Sequence, residues 1–166
     1  MTLLRNILLY RRSRGFGVHS PWAYEIVREV LPEKCAYYAY HDINRIFGSE
    51  ARLGRMVFRV LVHLHPQEIV VTRERHWVRL AREVGTHGGE GKVFLVTDPA
   101  EFHGCRDCET LVFTCLDTAT GRAAWQRALA EGPASVIDTH RRLGIISRRR
   151  GLPQQTIHLR TLFNDQ

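Results

Sequence analysis

At 166 residues, 44% hydrophobic and 25% charged, the chain has the make-up of one ordinary globular domain, large enough to bury a core that needs no disulfide staples. Its net charge is +7, carried almost wholly by arginine, since Lys34 and Lys92 are the only lysines. No apolar run is long enough to span a bilayer, which excludes a transmembrane helix and makes the cytoplasm the expected location.

In chain order, residues 1–10 carry Leu3, Leu4, Ile7, Leu8 and Leu9 around Arg5, with no small-residue cleavage site after them. They read as a short amphipathic helix rather than a signal peptide. Ser20-Pro21 supplies an N-cap and a first-turn proline. Trp22, Ala23, Ile26, Val27, Val30 and Leu31 then recur at helical spacing until Pro32 stops the run. Asp42 is placed to cap a short helix through Phe47. From Ser49, Leu53, Met56, Val57, Val60, Leu61 and Leu64 form one apolar face of about four turns.

After Pro66 the pattern changes. Residues 68–72 hold the β-rich core Ile69-Val70-Val71, and a helix over 74–84 turns Trp77, Leu80, Ala81 and Val84 inward. A flexible connection spans 85–91. Strands follow at 92–97 and 110–116, separated by too few residues for a comfortable crossover helix. A helix over 120–130 ends at Gly132-Pro133, and three strand-like runs close the sequence at 134–139, 143–148 and 156–162. Apolar strands interleaved with helices predict a mainly parallel sheet covered on both faces, with antiparallel pairing of the last strands at one edge. The expected fold class is therefore α/β, a Rossmann-like three-layer sandwich. It is a single domain over 1–166, with a helical part at 1–66 and a shortened Rossmann-like part at 67–166.

Several residue sets invite a chemical reading beside a plainer one. Arginine clusters at Arg11, Arg12 and Arg14, at Arg141 and Arg142, and at 148–150 suit an acidic or nucleic-acid partner; a solvated surface is the favoured explanation, since they lack regular aromatic interleaving. The cysteines are expected to be free thiols in a reducing compartment. Cys105 and Cys108 have half-knuckle spacing, and His103 with Cys115 would complete a Cys₃His zinc set, although Cys115 lies in an apolar run that suits a small buried side chain. A redox pair is disfavoured because the motif does not open a helix after a strand. Tyr37, Tyr38 and Tyr40 either line a cavity or simply pack. His63 and His65 are two apart, share no helical face, and suit a helix C-terminus. Asp138 is expected to pair with Arg141 close to His140.

Collinear segments resemble a bacterial branch of the class I S-adenosylmethionine (SAM) methyltransferases. Gly17-Val18-His19-Ser20-Pro21-Trp22 resembles the opening of these proteins, and Tyr37-Tyr38-Ala39-Tyr40 their next block. Gly54-Arg55-Met56-Val57-Phe58-Arg59 ahead of His65-Pro66 looks like the helix before their first strand. Ala123-Ala124-Trp125-Gln126 is similar to the helix after their fifth strand. Arg142-Leu143-Gly144-Ile145-Ile146, with Gly151-Leu152-Pro153 and Gln155, is similar to their closing hairpin.

The resemblance implies a glycine turn after the first strand, where the backbone approaches the cofactor. Here Thr72-Arg73-Glu74-Arg75-His76-Trp77 stands in its place, with no glycine and with bulky side chains expected to fill the pocket. The stretch between Arg73 and Thr110 is also too short for the strand–helix units the family places there. If the one strand in it is the family's second, Asp98 matches the ribose-binding acid; if the fourth, Asp98 faces the reacting methyl. Asp117 matches an acidic position that helps bind metal in related enzymes, but its neighbour here is Thr118, so no metal is expected. His19 is either a pocket-lining base or a histidine bonded to backbone beside a capped helix.

Three functions follow as expectations. The first is a catalytically inactive methyltransferase homologue, without cofactor, kept for binding or assembly. The second is an active SAM-dependent O-methyltransferase with a rebuilt pocket. Thr72, Glu74 and Asp98 would then touch SAM, and His19 or Asp117 the acceptor. The third is an arginine-rich module for nucleic acid or an acidic partner. A truncated sheet also exposes an edge through which the chain can self-associate.

Overall fold

The computed structural model describes residues 15, 17–72, 74–86, 88–105, 107–139 and 141–159. The segment 1–10, the first arginine cluster, Arg73, His140 and the end of the last strand-like run lie outside them. Among the described residues no helix is long and apolar enough to cross a membrane.

Helix α1 (Pro21–Glu25) begins where Ser20 Oγ accepts from the Ala23 amide, and it widens into a π-helical turn over Ile26–Val30. Helix α2 (Tyr40–Phe47) follows, with Ala39 at its N-cap. Asp42 is thus inside the first turn rather than the cap, paired with Arg45 at 2.7 Å. A 3₁₀ turn leads into α3 (Ala51–Leu64), which ends at His65 in the left-handed conformation. Strand β1 (Glu68–Val71) and helix α4 (Arg75–Val84) come next, then β2 (Lys92–Val96) and β3 (Thr110–Phe113). Helix α5 (Ala119–Ala130) and strands β4 (Ser135–Asp138), β5 (Gly144–Ser147) and β6 (Gln155–His158) complete the fold.

The result is an α/β protein whose six strands form one mixed, mostly parallel sheet in the order β1-β2-β3-β5-β4-β6. Antiparallel pairing occurs, but not at the edge that the sequence suggests. β5 is inserted between β3 and β4, antiparallel to both, while the outermost β6 runs parallel to β4. The connection after β5 spans only residues 148–154, yet it carries the chain past β4 to its far side.

Side-chain alternation divides the core in two. Val93, Leu95, Val112, Ile137, Ile145 and Ile157 face the amino-terminal helices and α4. Leu111, Phe113, Val136 and Ile146 face α5 and the β2–β3 loop. Trp125 of α5 stacks edge-on to Phe113 at 5.2 Å. It fits because β5 begins with glycine: a Cβ on Gly144 would lie 2.7 Å from the indole.

The two faces also set the handedness of the connections. The chain advances from β1 to β2 to β3 in one direction across the sheet, with α4 on one face and the β2–β3 loop on the other. Those two crossovers are therefore of opposite hand. The next, from β3 through α5 to β4, advances the same way on the loop's face and shares the loop's hand. The β1–α4–β2 unit thus differs in hand from the two crossovers that follow it.

Candidate functional site

The parallel strands β1, β2 and β3 end together, and their carboxyl ends border an open cleft of about 900 Å³. Ligands of open α/β sheets bind at this end. Asp98 enters the cleft just past β2, where its carboxylate accepts the Ala100 amide at 2.9 Å. Asp117 enters past β3 and meets Arg142 at 3.3 Å, and Arg142 also bonds Glu50 across the fold. Burial pulls the Arg142 guanidinium down, but the Glu50 hydrogen bond and the charges of Glu50 and Asp117 outweigh it and hold the group above its ordinary value. Thr118 caps α5: its hydroxyl accepts the Gly121 amide at 2.9 Å and donates to the Cys115 carbonyl at 3.0 Å. Cys115 also lines the cleft. Burial, then the charge of Asp117, pushes its thiol up to about 11, so it stays neutral and weakly nucleophilic.

The residues after β1 are placed differently from the expectation that they fill the cleft. Trp77 does not enter the cleft; it is 2% exposed in the helical side of the core, edge-on to Phe47 at 4.6 Å. Of the described residues from 72 to 77 only Glu74 lines the cleft, with His76 at 3.3 Å from its carboxylate. Thr72 is buried. Its hydroxyl accepts the amides of Thr97 and Asp98, both at 3.0 Å, and lies 2.6 Å from the Thr97 hydroxyl. Two backbone donors at the carboxyl end of β2 are thus satisfied within the protein. Thr72→Val is expected to lower unfolding free energy by about 1–3 kcal/mol. Denaturant titration measures the loss, and hydrogen exchange should accelerate at residues 97 and 98.

The structure separates other residues that the sequence suggested together. His19 is exposed, and its amide donates to Gln155 Oε1 at 3.4 Å, beside the start of β6. That is the amino end of the parallel strands, away from Asp98 and Asp117. Asp138 pairs with Arg122 at 3.0 Å, and His158 approaches it at 3.8 Å. His63 faces Glu25 at 3.6 Å. Tyr37 and Tyr40 pack edge-on to Phe58, while Tyr38 is fully exposed. The Tyr37 hydroxyl donates to Glu33 at 2.8 Å, which pushes it up to about 12.

Cys105 and Cys108 are not free thiols. They form a disulfide on the β2–β3 loop, whose turn brings their Cα atoms to 5.5 Å. Cys35 and Cys115 are free. Among the described residues no cluster of His, Cys, Asp or Glu could hold a metal ion, so Cys115 and His103 do not complete a zinc set.

Within the described arginine clusters, Arg142, Arg148 and Arg149 meet carboxylates. Arg148 caps the end of α5 through the Ala128 carbonyl and meets Glu131 at 3.1 Å, and Arg149 lies 3.7 Å from Glu90 and 3.8 Å from Glu109. Arg142, Arg127 and Glu50 belong to the cleft or its support; sequence reasoning placed Arg142 only in an arginine cluster and missed the other two. Arg142 is separated from Glu50 by most of the chain, and no local pattern connects them.

Compared with family models, curated proteins and solved structures, this chain has no match in any of the three.

Proposed function

We propose that the protein is a methyltransferase homologue that has lost its cofactor site and serves in binding or assembly. The observation that carries the loss is Thr72, whose hydroxyl takes up the amides of Thr97 and Asp98 at the place where a glycine turn would admit SAM.

The opposite hand of the β1–α4–β2 unit relative to the two crossovers after it supports the ancestry. In a doubly wound sheet, strands two and four lie on opposite sides of strand one. The helix after strand one leads right-handedly to strand two. Deleting the units in between joins that helix directly to strand four, on the other side, and the crossover takes the opposite hand. On this reading β2 descends from the fourth strand and β3 from the fifth. Asp98 then matches the position facing a reacting methyl, and the ribose-binding acid was lost with its strand.

The same deletion leaves β1 outermost among the described strands. Its outer edge is the surface through which a second chain would add. The ion pairs of Arg142, Arg148 and Arg149 favour this reading over a nucleic-acid module, because a polyanion would have to compete with carboxylates already in place.

Isothermal titration of the full chain with SAM and with S-adenosylhomocysteine is expected to give no heat of binding at micromolar concentrations. Micromolar affinity for either would overturn the proposal and return the open cleft, with Asp98 and Asp117, to an active methyltransferase.

A further inference from the structure

Two neighbouring parallel strands normally need a crossover of a dozen or more residues, usually a helix. Between β2 and β3 the connection, 97–109, contains no helix. Phe102 occupies the space a helix would fill, its ring 5.8 Å from Phe94 and 5.3 Å from Phe113. Farther along the same loop, Cys108 is 2% exposed beneath the surface, and Cys105, bonded to it, is half-buried.

A bridge across two intervening residues restricts the unfolded chain little. The two-sided core supplies the bulk of the stability in any case. The bond's main structural effect is therefore local: it closes one end of a helix-free loop whose other end, Asp98 to His103, is a wall of the cleft.

We propose that Cys105–Cys108 is a thiol–disulfide exchange site, served by a dithiol reductant, whose state sets the order of that cleft wall. The thiolate of the reductant attacks Sγ of Cys105, the more accessible sulfur. The S–S bond breaks, and Cys108 leaves as a thiolate that takes up a proton. The second thiol of the reductant then attacks the mixed disulfide, releases Cys105 as a thiol and leaves the reductant as its own disulfide. Two electrons pass to the protein, and a disulfide oxidant reverses the sequence. Cys115 does not compete, because its buried thiol stays protonated. This site is independent of what the cleft binds and of the chain's ancestry.

The test uses the full chain carrying Cys35→Ser, which removes the exposed thiol. After equilibration in dithiothreitol buffers, thiol counting under denaturing conditions is expected to give one thiol in the oxidised form and three in the reduced form. Hydrogen exchange across residues 98–109 should be about tenfold faster when reduced, with β3 and α5 unchanged. A Cys105→Ala chain kept under oxidising conditions should exchange like the reduced form. Three results would overturn the proposal: a bridge that is reduced only as the whole chain unfolds, loop exchange that is the same in both states, or a Cys105→Ala loop as protected as the oxidised one.

Discussion

Trp77→Ala is expected to lower the unfolding free energy by about 3–5 kcal/mol and to leave the protein unable to bind SAM. The indole is buried between α4 and the amino-terminal helices, against Phe47 and beside the fully buried Leu80, so truncation leaves a cavity that the surrounding helices can only partly refill. Denaturant titration reads the stability and calorimetry the binding. A loss below about 1 kcal/mol would mean that the indole is not held in the core. Gain of SAM binding would mean that it plugs the cofactor site after all. The experiment therefore separates two ways in which bulk after β1 can act, by filling a pocket or by filling a core.

Arg59→Met should destabilise by about 2–4 kcal/mol, although methionine keeps much of the apolar stem. Arg59 is a charged side chain inside the helical part. Its guanidinium donates to the carbonyls of Val30 at 2.9 Å and Leu31 at 2.8 Å, and to the Tyr40 hydroxyl at 3.0 Å. Those carbonyls end the π-helical turn after α1 and lack a following helical amide once Pro32 breaks the run. Removing the donor leaves them buried and unpaired. Arg59→Lys, with a single ammonium, should recover only part of the loss, since one group cannot reproduce the forked geometry. Equal stability of the methionine variant and the wild type would show that water satisfies these carbonyls.

Much of the fold was legible in the sequence because alternation and helical spacing act over a few neighbouring residues. Val93 and Leu95 on one face of β2, with Val96 on the other, follow from period two. The face of α3 follows from Leu53, Met56, Val57, Val60, Leu61 and Leu64. The lack of a helix between β2 and β3 follows from the length of the connection. The site was less legible. Asp98 and Asp117 were singled out through the family resemblance, and the structure brings both to one cleft. Arg142 and Glu50 were not, since ion pairs between distant segments leave no periodic trace. Thr72 was suspected as a cofactor contact, yet its role is set by the amides of Thr97 and Asp98, which only pairing of β1 with β2 brings within reach.

By itself the sequence determined where helices and strands form, which side chains each turns inward, and that no glycine follows the first strand. Only the tertiary structure decided the strand order, the insertion of β5, the difference in hand between the first crossover and the next two, the Cys105–Cys108 bond and the distance of His19 from the cleft. The division has one physical cause. Local conformation is governed by sterics and burial within a turn or two, whereas strand order and site assembly depend on which distant segments exclude water together.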